Sequence, residues 1–167
     1  MYFNTSLKKM IFTGCFTVAS FLCYSQDTTN ANTLITGHTK VEHLENNSEH
    51  NWFSKNYTEY AYDTSTIATL KKLGTNYTIV VVGGTWCPDT HKELPKFYKV
   101  IDEGGIPREN VKLYFVDREF KSPEMTSKKY KIKHVPTFIV YRGTKEEGRI
   151  VTHPEKSIEA DLLKIVQ

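Results

Sequence analysis

The sequence predicts an α/β protein with one mixed β-sheet and helices on both faces. Three observations predict it. Thr78-Ile79-Val80-Val81-Val82 is a continuous β-branched run, the pattern of a buried central strand. Leu94, Phe97, Val100 and Ile101 then repeat with a helical period. Strand-like and helix-like segments alternate from there and end in a hairpin and a closing helix, the pattern of a layered sheet with crossover helices.

Taken in order, residues 1–25 read as a secretory signal peptide. Lys8 and Lys9 supply a positive start, and Met10 to Leu22 an apolar stretch too short to span a bilayer. Cys23-Tyr24-Ser25 has the form of a cleavage region, which would leave Gln26 first in the mature chain. Lipidation at Cys23 is disfavoured, because Ser20-Phe21-Leu22 puts a bulky residue where a lipoprotein signal needs a small one. The expected product is periplasmic or secreted, with no stable membrane anchor. Residues 26–62 read as a polar lead-in followed by an aromatic extension, Trp52, Phe53, Tyr57, Tyr60 and Tyr62, expected to pack on the domain.

Residues 63–167 are expected to form the domain proper. Asp63 or Thr64 caps a helix bearing Ile67, Leu70 and Leu73, and Gly74 ends it. The strand at 78–82 breaks at Gly83-Gly84-Thr85, and a helix starts at Pro88, a residue suited to a first turn, and stops at Gly104-Gly105. Val111 to Val116 is the next strand, and Pro123 to Tyr130 a helix. Pro136 to Tyr141 and Arg149 to Thr152 are strands joined by a turn around Gly148. Pro154 to Val166 is an amphipathic helix with Ile158, Leu162, Ile165 and Val166 inward. Strands separated by helices are expected to pair in parallel.

Composition narrows the function. The chain has 167 residues, 39% hydrophobic and 13% aromatic, and a formal net charge of +3 to which Lys8 and Lys9 contribute two. That balance, with no Lys/Arg stripe, predicts no nucleic-acid partner. Of the three cysteines, Cys15 and Cys23 lie in the signal segment, so the mature chain would carry Cys87 alone and no internal disulfide.

The stretch Val80-Val81-Val82-Gly83-Gly84-Thr85-Trp86-Cys87-Pro88-Asp89-Thr90 resembles the strand-to-helix active-site turn of thioredoxins, which carry Trp-Cys-x-x-Cys there. Pro95, eight residues after Cys87, matches the family's helix-kinking proline. Val135-Pro136-Thr137, directly before Phe138-Ile139-Val140, matches its apolar-Pro-Thr turn, in which the proline is cis. The resemblance spans residues 63–167 and implies a thioredoxin fold. It also implies roles: Cys87 as nucleophile, Trp86, Pro88, Asp89 and Thr90 as the shell around it, and Val135, Pro136 and Thr137 as the turn that docks substrate. The chemistry has a general basis. A cysteine at a helix start faces unpaired amides and the positive end of the helix dipole, which favour the thiolate.

Two departures shape the functional expectation. Thr90 holds the place of the family's second cysteine, and Val81 the place of its buried aspartate. Without a resolving thiol a buried carboxylate would only cost desolvation, so the two losses agree. The chain is therefore expected to act as a monothiol. Cys87 attacks a protein disulfide, a protein thiol's oxidised form or a small-molecule thiol's disulfide, and an external thiol reductant completes the cycle. The Thr90 hydroxyl is a candidate donor to the sulfur, and Asp89 an unfavourable neighbour for a second anion. A non-catalytic peptide-binding module and a thiol redox sensor are the alternatives. No cofactor and no metal are expected. His38, His43 and His50 read as solvated surface. His91 and His134 lie near Cys87 in the sequence pattern, but the two-cysteine pattern of copper-binding relatives is absent. Asp117 reads as a loop cap.

Overall fold

Five strands, β1 (Gly37–Thr39), β2 (Thr78–Gly83), β3 (Val111–Phe115), β4 (Thr137–Arg142) and β5 (Lys145–Val151), form one sheet in the order β1-β3-β2-β4-β5. The structure is a computed structural model and describes residues 34–167. The expected signal peptide, its Ser25 cleavage point, Cys15, Cys23 and the start of the lead-in lie outside the described residues. Among the described residues no helix is long and apolar enough to cross a membrane.

The central strand reads as expected, since β2 is buried from Ile79 to Gly83. Among the described residues six α-helices accompany the sheet: α1 (Glu42–Glu45), α2 (Asn51–Glu59), α3 (Thr64–Lys72), α4 (Pro88–Glu103), α5 (Thr126–Lys129) and α6 (Ile158–Val166). Ile67 and Leu70 of α3, Leu94, Phe97, Val100 and Ile101 of α4, and Ile158 and Leu162 of α6 share one core with Ile79, Val81, Leu113, Phe115 and Phe138. The opposite face is smaller. Val80, Val82 and Ile139 meet Ile132, Val135 and Cys87 there, with Tyr114, Phe120, Tyr130 and Tyr141 around them. Helices thus lie on both faces of the mixed sheet, but unequally, and α5 with its flanking loops covers the second face.

The pairing corrects one expectation. β2 and β3 are parallel, but β4 pairs with β2 antiparallel, with Val82 opposite both Tyr114 and Thr137. A parallel return needs a crossover helix long enough to recross the sheet. The expected helix over 123–130 is instead the four residues of α5, preceded by Met125 with φ 50°. The amide of Thr126 bonds the Ser122 hydroxyl oxygen, which starts the helix late. The 116–136 connection therefore stays at one end of the sheet and β4 must run back.

Two local expectations also shift. The hairpin turn is Gly143-Thr144, because β5 already begins at Lys145. Gly148 lies inside β5, opposite Val140, where a Cβ would stand 3.0 Å from Ile165 Cγ1, so its bareness lets α6 approach the sheet. Leu73, expected inward, is exposed just past the end of α3. Asp63 caps that helix as read, accepting from the Thr66 amide at 2.7 Å, and its bonds from Ser65 and Thr66 hold the carboxyl down to about 2.

The lead-in differs most from its reading. β1 pairs antiparallel with β3 from Gly37 to Thr39, so the domain starts well before residue 63. Leu44 and Phe53 are fully buried in the main core, and Tyr57 donates to Asp102 at 2.8 Å. Arg108 bonds both Asp102 and Glu45, which fastens α1 to the end of α4. Glu159 on α6 accepts from the Tyr60 hydroxyl at 2.6 Å and the Asp63 amide at 2.9 Å. The aromatic extension packs on the domain as expected, but a three-residue strand and a four-residue helix have no period to read, which is why β1 and α1 read only as polar lead-in. The packing predicts that Phe53→Ala costs about 3–5 kcal/mol in chemical denaturation, as for a core aromatic. A loss below about 1 kcal/mol would mean that residues 34–62 are an appendage rather than part of the core.

Candidate functional site

The site sits where β2 becomes α4. Gly83 and Gly84 are forced by crowding. A Cβ on Gly83 would stand 2.9 Å from Thr90 Cγ2 and 3.0 Å from Phe115 Cε1, and one on Gly84 2.7 Å from the Trp86 ring. Bare backbone here lets the chain turn sharply and lay the Trp86 indole back over itself. The indole N–H then donates to the Val116 carbonyl at 2.9 Å, and Phe120 meets the ring edge-on.

Cys87 follows as the residue that begins α4, with extended backbone (φ −96°, ψ 120°) and Pro88 as the first helical residue. Pro88 has no amide hydrogen to waste at a position where helix amides lack partners. The Cys87 side chain makes no capping bond to that turn. Its thiol instead points at the Val135 carbonyl oxygen, 3.4 Å away. The residue is 6% exposed.

The Val135–Pro136 peptide bond is cis. Around it the turn is closed on both sides. The Thr137 hydroxyl donates to the His134 carbonyl at 2.7 Å, and the Thr152 amide donates to the Pro136 carbonyl at 2.7 Å. The structure therefore brings Cys87, Val135 and Pro136 together. Thr137 is 1% exposed, and its hydroxyl is engaged in closing the turn.

The shell residues divide. Trp86 covers the turn. Asp89, one residue past Pro88, lies 3.7 Å from His153 Nε2, and Glu93, 2% exposed, lies 3.9 Å from Nδ1 of the same ring. Thr90 is fully buried and its hydroxyl oxygen accepts the Gly84 amide at 3.2 Å. The expectation that it would serve the sulfur is thus corrected: the Thr90 side chain secures the β2–α4 loop. Val81 is buried in the main core, on the sheet face that Thr90 also approaches through Gly83.

The histidines were read only in part. His91 does not face Cys87. Its Nε2 lies 2.6 Å from the Thr85 carbonyl, and the ring stacks on Trp52 at 4.2 Å and 13°. His38 and His43 are exposed, as read, whereas His50 is 6% exposed, and burial lowers its pKa. Asp117 caps its loop, accepting from the Glu119 and Lys121 amides at 2.8 Å. Among the described residues no three His, Cys, Asp or Glu side chains converge as a metal site would need. Sequence reasoning named Trp52 only as a packing residue and missed His153 and Arg118, whose guanidinium lies 5.3 Å from the Trp86 ring centre. No spacing in the chain announces them, since each reaches the site from a separate element.

The thioredoxin family's sequence model matches residues 37–162, which includes β1 and the whole sheet. No curated protein matches. Among solved structures, a protein of unknown function from Pseudomonas aeruginosa superposes with a TM-score of 0.59 at 14% identity, over 78% of this chain and 92% of that one. An HIV epitope-scaffold gives the same values. Fasciola hepatica thioredoxin covers 59% of this chain and 86% of its own at 20% identity, with a TM-score of 0.39. The family match over most of the chain, together with the five-stranded mixed sheet, makes this chain a member of the thioredoxin family.

Proposed function

We propose that the chain is an extracytoplasmic thiol–disulfide oxidoreductase of monothiol type, with Cys87 as its nucleophile. One observation carries the reading: Cys87 begins α4 with its sulfur 3.4 Å from the carbonyl of the Val135–Pro136 turn. A helix start stabilises developing negative charge on sulfur, and the turn offers backbone to an extended substrate beside it. Export rests on the charged start, apolar stretch and cleavage region of residues 1–25.

The chemistry is three exchanges. The Cys87 thiolate attacks one sulfur of a substrate disulfide. A Cys87–substrate disulfide forms, the substrate S–S bond breaks, and the other sulfur leaves as a thiolate that takes a proton from water. A thiol from outside the chain then attacks Cys87 Sγ in the mixed disulfide and frees the second substrate sulfur, and a second such thiol attacks the resulting Cys87 disulfide, releasing the Cys87 thiolate and the external thiols joined as a disulfide. Cys87 is the one cysteine among the described residues, so no other described thiol resolves the intermediate. Trp86, Pro88 and Thr90 hold the loop and helix start, and Val135 and Pro136 form the docking turn.

The 6% exposure of Cys87 favours a second reading, a peptide-binding module whose thiol is incidental. One trapping experiment separates the two. Alkylated rapidly from oxidised cells, the wild-type protein is expected in the extracytoplasmic fraction, carrying disulfide-linked partners that Cys87→Ser lacks. Recovery of unlinked wild type alone supports the binding module.

A second prediction concerns the missing thiol. Positions 87 and 90 lie one helical turn apart at the start of α4. Thr90→Cys should form an internal disulfide on mild oxidation, read as a loss of two hydrogens by mass spectrometry. It should gain only partial turnover with a dithiol reductant, because Val81 supplies no carboxylate for the new thiol's proton. Loss of the Gly84–Thr90 bond should cost about 1 kcal/mol of stability. Two free thiols under oxidation would contradict the assignment.

A further inference from the structure

The N-terminal segment builds a second feature beside the Cys87 turn. Trp52 stacks on His91, and His91 is held to the Thr85 carbonyl, so α2 is fastened to the loop that leads into Cys87. Between Trp52 and Trp86 lies a cleft of about 400 Å³, lined also by His50, His91, Glu49 and Arg118. These are the chain's two tryptophans.

Its size, its charges and a buried ring each bear on what it takes. The volume suits a small molecule, within the common range of roughly 300–1,000 Å³. The Arg118 guanidinium lies over the Trp86 ring, and neither Arg118 nor Glu49 forms an ion pair with another described residue. The cleft therefore presents one cation and one anion, complementary to a zwitterion. His50 lines it while 6% exposed, and its ring makes no hydrogen bond to another described residue. Held neutral by burial, that ring keeps one donor and one acceptor for a ligand's amide or carboxylate.

We propose that this cleft binds a small, peptide-like thiol carrying an ammonium and carboxylates, and that this thiol is the external reductant of Cys87. The inference rests on the oxidoreductase reading above. Thr85 and Trp86 immediately precede Cys87, so the Thr85 and Cys87 Cα atoms are at most about 7.6 Å apart, within the roughly 10 Å span of a tripeptide. The bound thiolate attacks Cys87 Sγ in the mixed disulfide, a Cys87–small-thiol disulfide forms, and the substrate sulfur leaves reduced and takes a proton. A second small thiol attacks that disulfide, releasing the small-molecule disulfide and the Cys87 thiolate. One substrate disulfide and two small thiols thus become two substrate thiols and one small-molecule disulfide.

The test separates binding from chemistry. S-methylglutathione, which cannot exchange, is titrated into Cys87→Ser while tryptophan fluorescence is followed. A saturable change is expected, weakened at least about tenfold when Arg118→Ala is added, as for loss of a charged hydrogen bond. N-acetylphenylalanine amide, a neutral aromatic probe, is expected to give none. Binding of that probe alone would make the cleft a protein side-chain pocket and overturn the proposal. In the Cys87-competent protein, preformed mixed disulfide should resolve with saturation in glutathione and linearly in 2-mercaptoethanol. The preference for glutathione should fall at least about fivefold in Arg118→Ala. Mixed disulfides that form and resolve with no such preference overturn the cleft and leave the oxidoreductase reading standing. S-methylglutathione binding without any mixed disulfide at Cys87 overturns the oxidoreductase reading and the reductant role together.

Discussion

β2 lies between a parallel neighbour and an antiparallel one, and the site depends on that pairing. Val82 faces Tyr114 on one side and Thr137 on the other, so β2 and β3 end at the edge where β4 begins. The β2–α4 turn and the Val135–Pro136 turn therefore meet. Had β4 run parallel, Pro136 would sit at the far end of the strand, about 20 Å away at ~3.3 Å per residue. The short α5 and the 116–136 connection that stays at one edge are thus as necessary to the Cys87 environment as the motif itself.

Packing turns that topology into a defined geometry. The main core, with α3, α4 and α6 on one face, holds α4 rigidly, and Thr90 and the two glycines set how sharply β2 enters it. Cys87 belongs to the other, smaller cluster, whose cover is loop and a single helical turn. Local opening costs least in segments with few buried contacts. The face that screens the sulfur is therefore also the one that opens most readily.

Much of this was legible in the sequence where the chain repeats a pattern. The β-branched run at 78–82, the apolar stripe of α4 and the Asp63 helix start all carry periods or caps that local physics reads directly, whereas α6 begins at Ile158 behind a Ser157 cap rather than at Pro154. Cys87, Pro95 and Pro136 were legible as a constellation because together they resemble the thioredoxin pattern. The rest had no local signature. β1 is three residues long and stable only by pairing with β3. The direction of β4 follows from where a loop lies, not from its residues. Thr90 looked like a partner for sulfur because only the fold reveals the Gly84 amide beneath it. His50 passed for surface because its polar, irregularly spaced neighbourhood gives no sign of burial, whereas in the fold its ring meets Trp52 edge-on at 5.9 Å and it is 6% exposed.

The central claim is that the fold makes Cys87 a reactive nucleophile while holding it 6% exposed. Its reaction with an aromatic disulfide that releases a coloured thiolate, followed at neutral pH in the native protein and again in denaturant, tests this most directly. The account predicts one equivalent released from the native protein, faster than from the unfolded chain and absent in Cys87→Ser. A native protein that reacts only as it unfolds would show a sulfur buried for packing, and the account would be wrong.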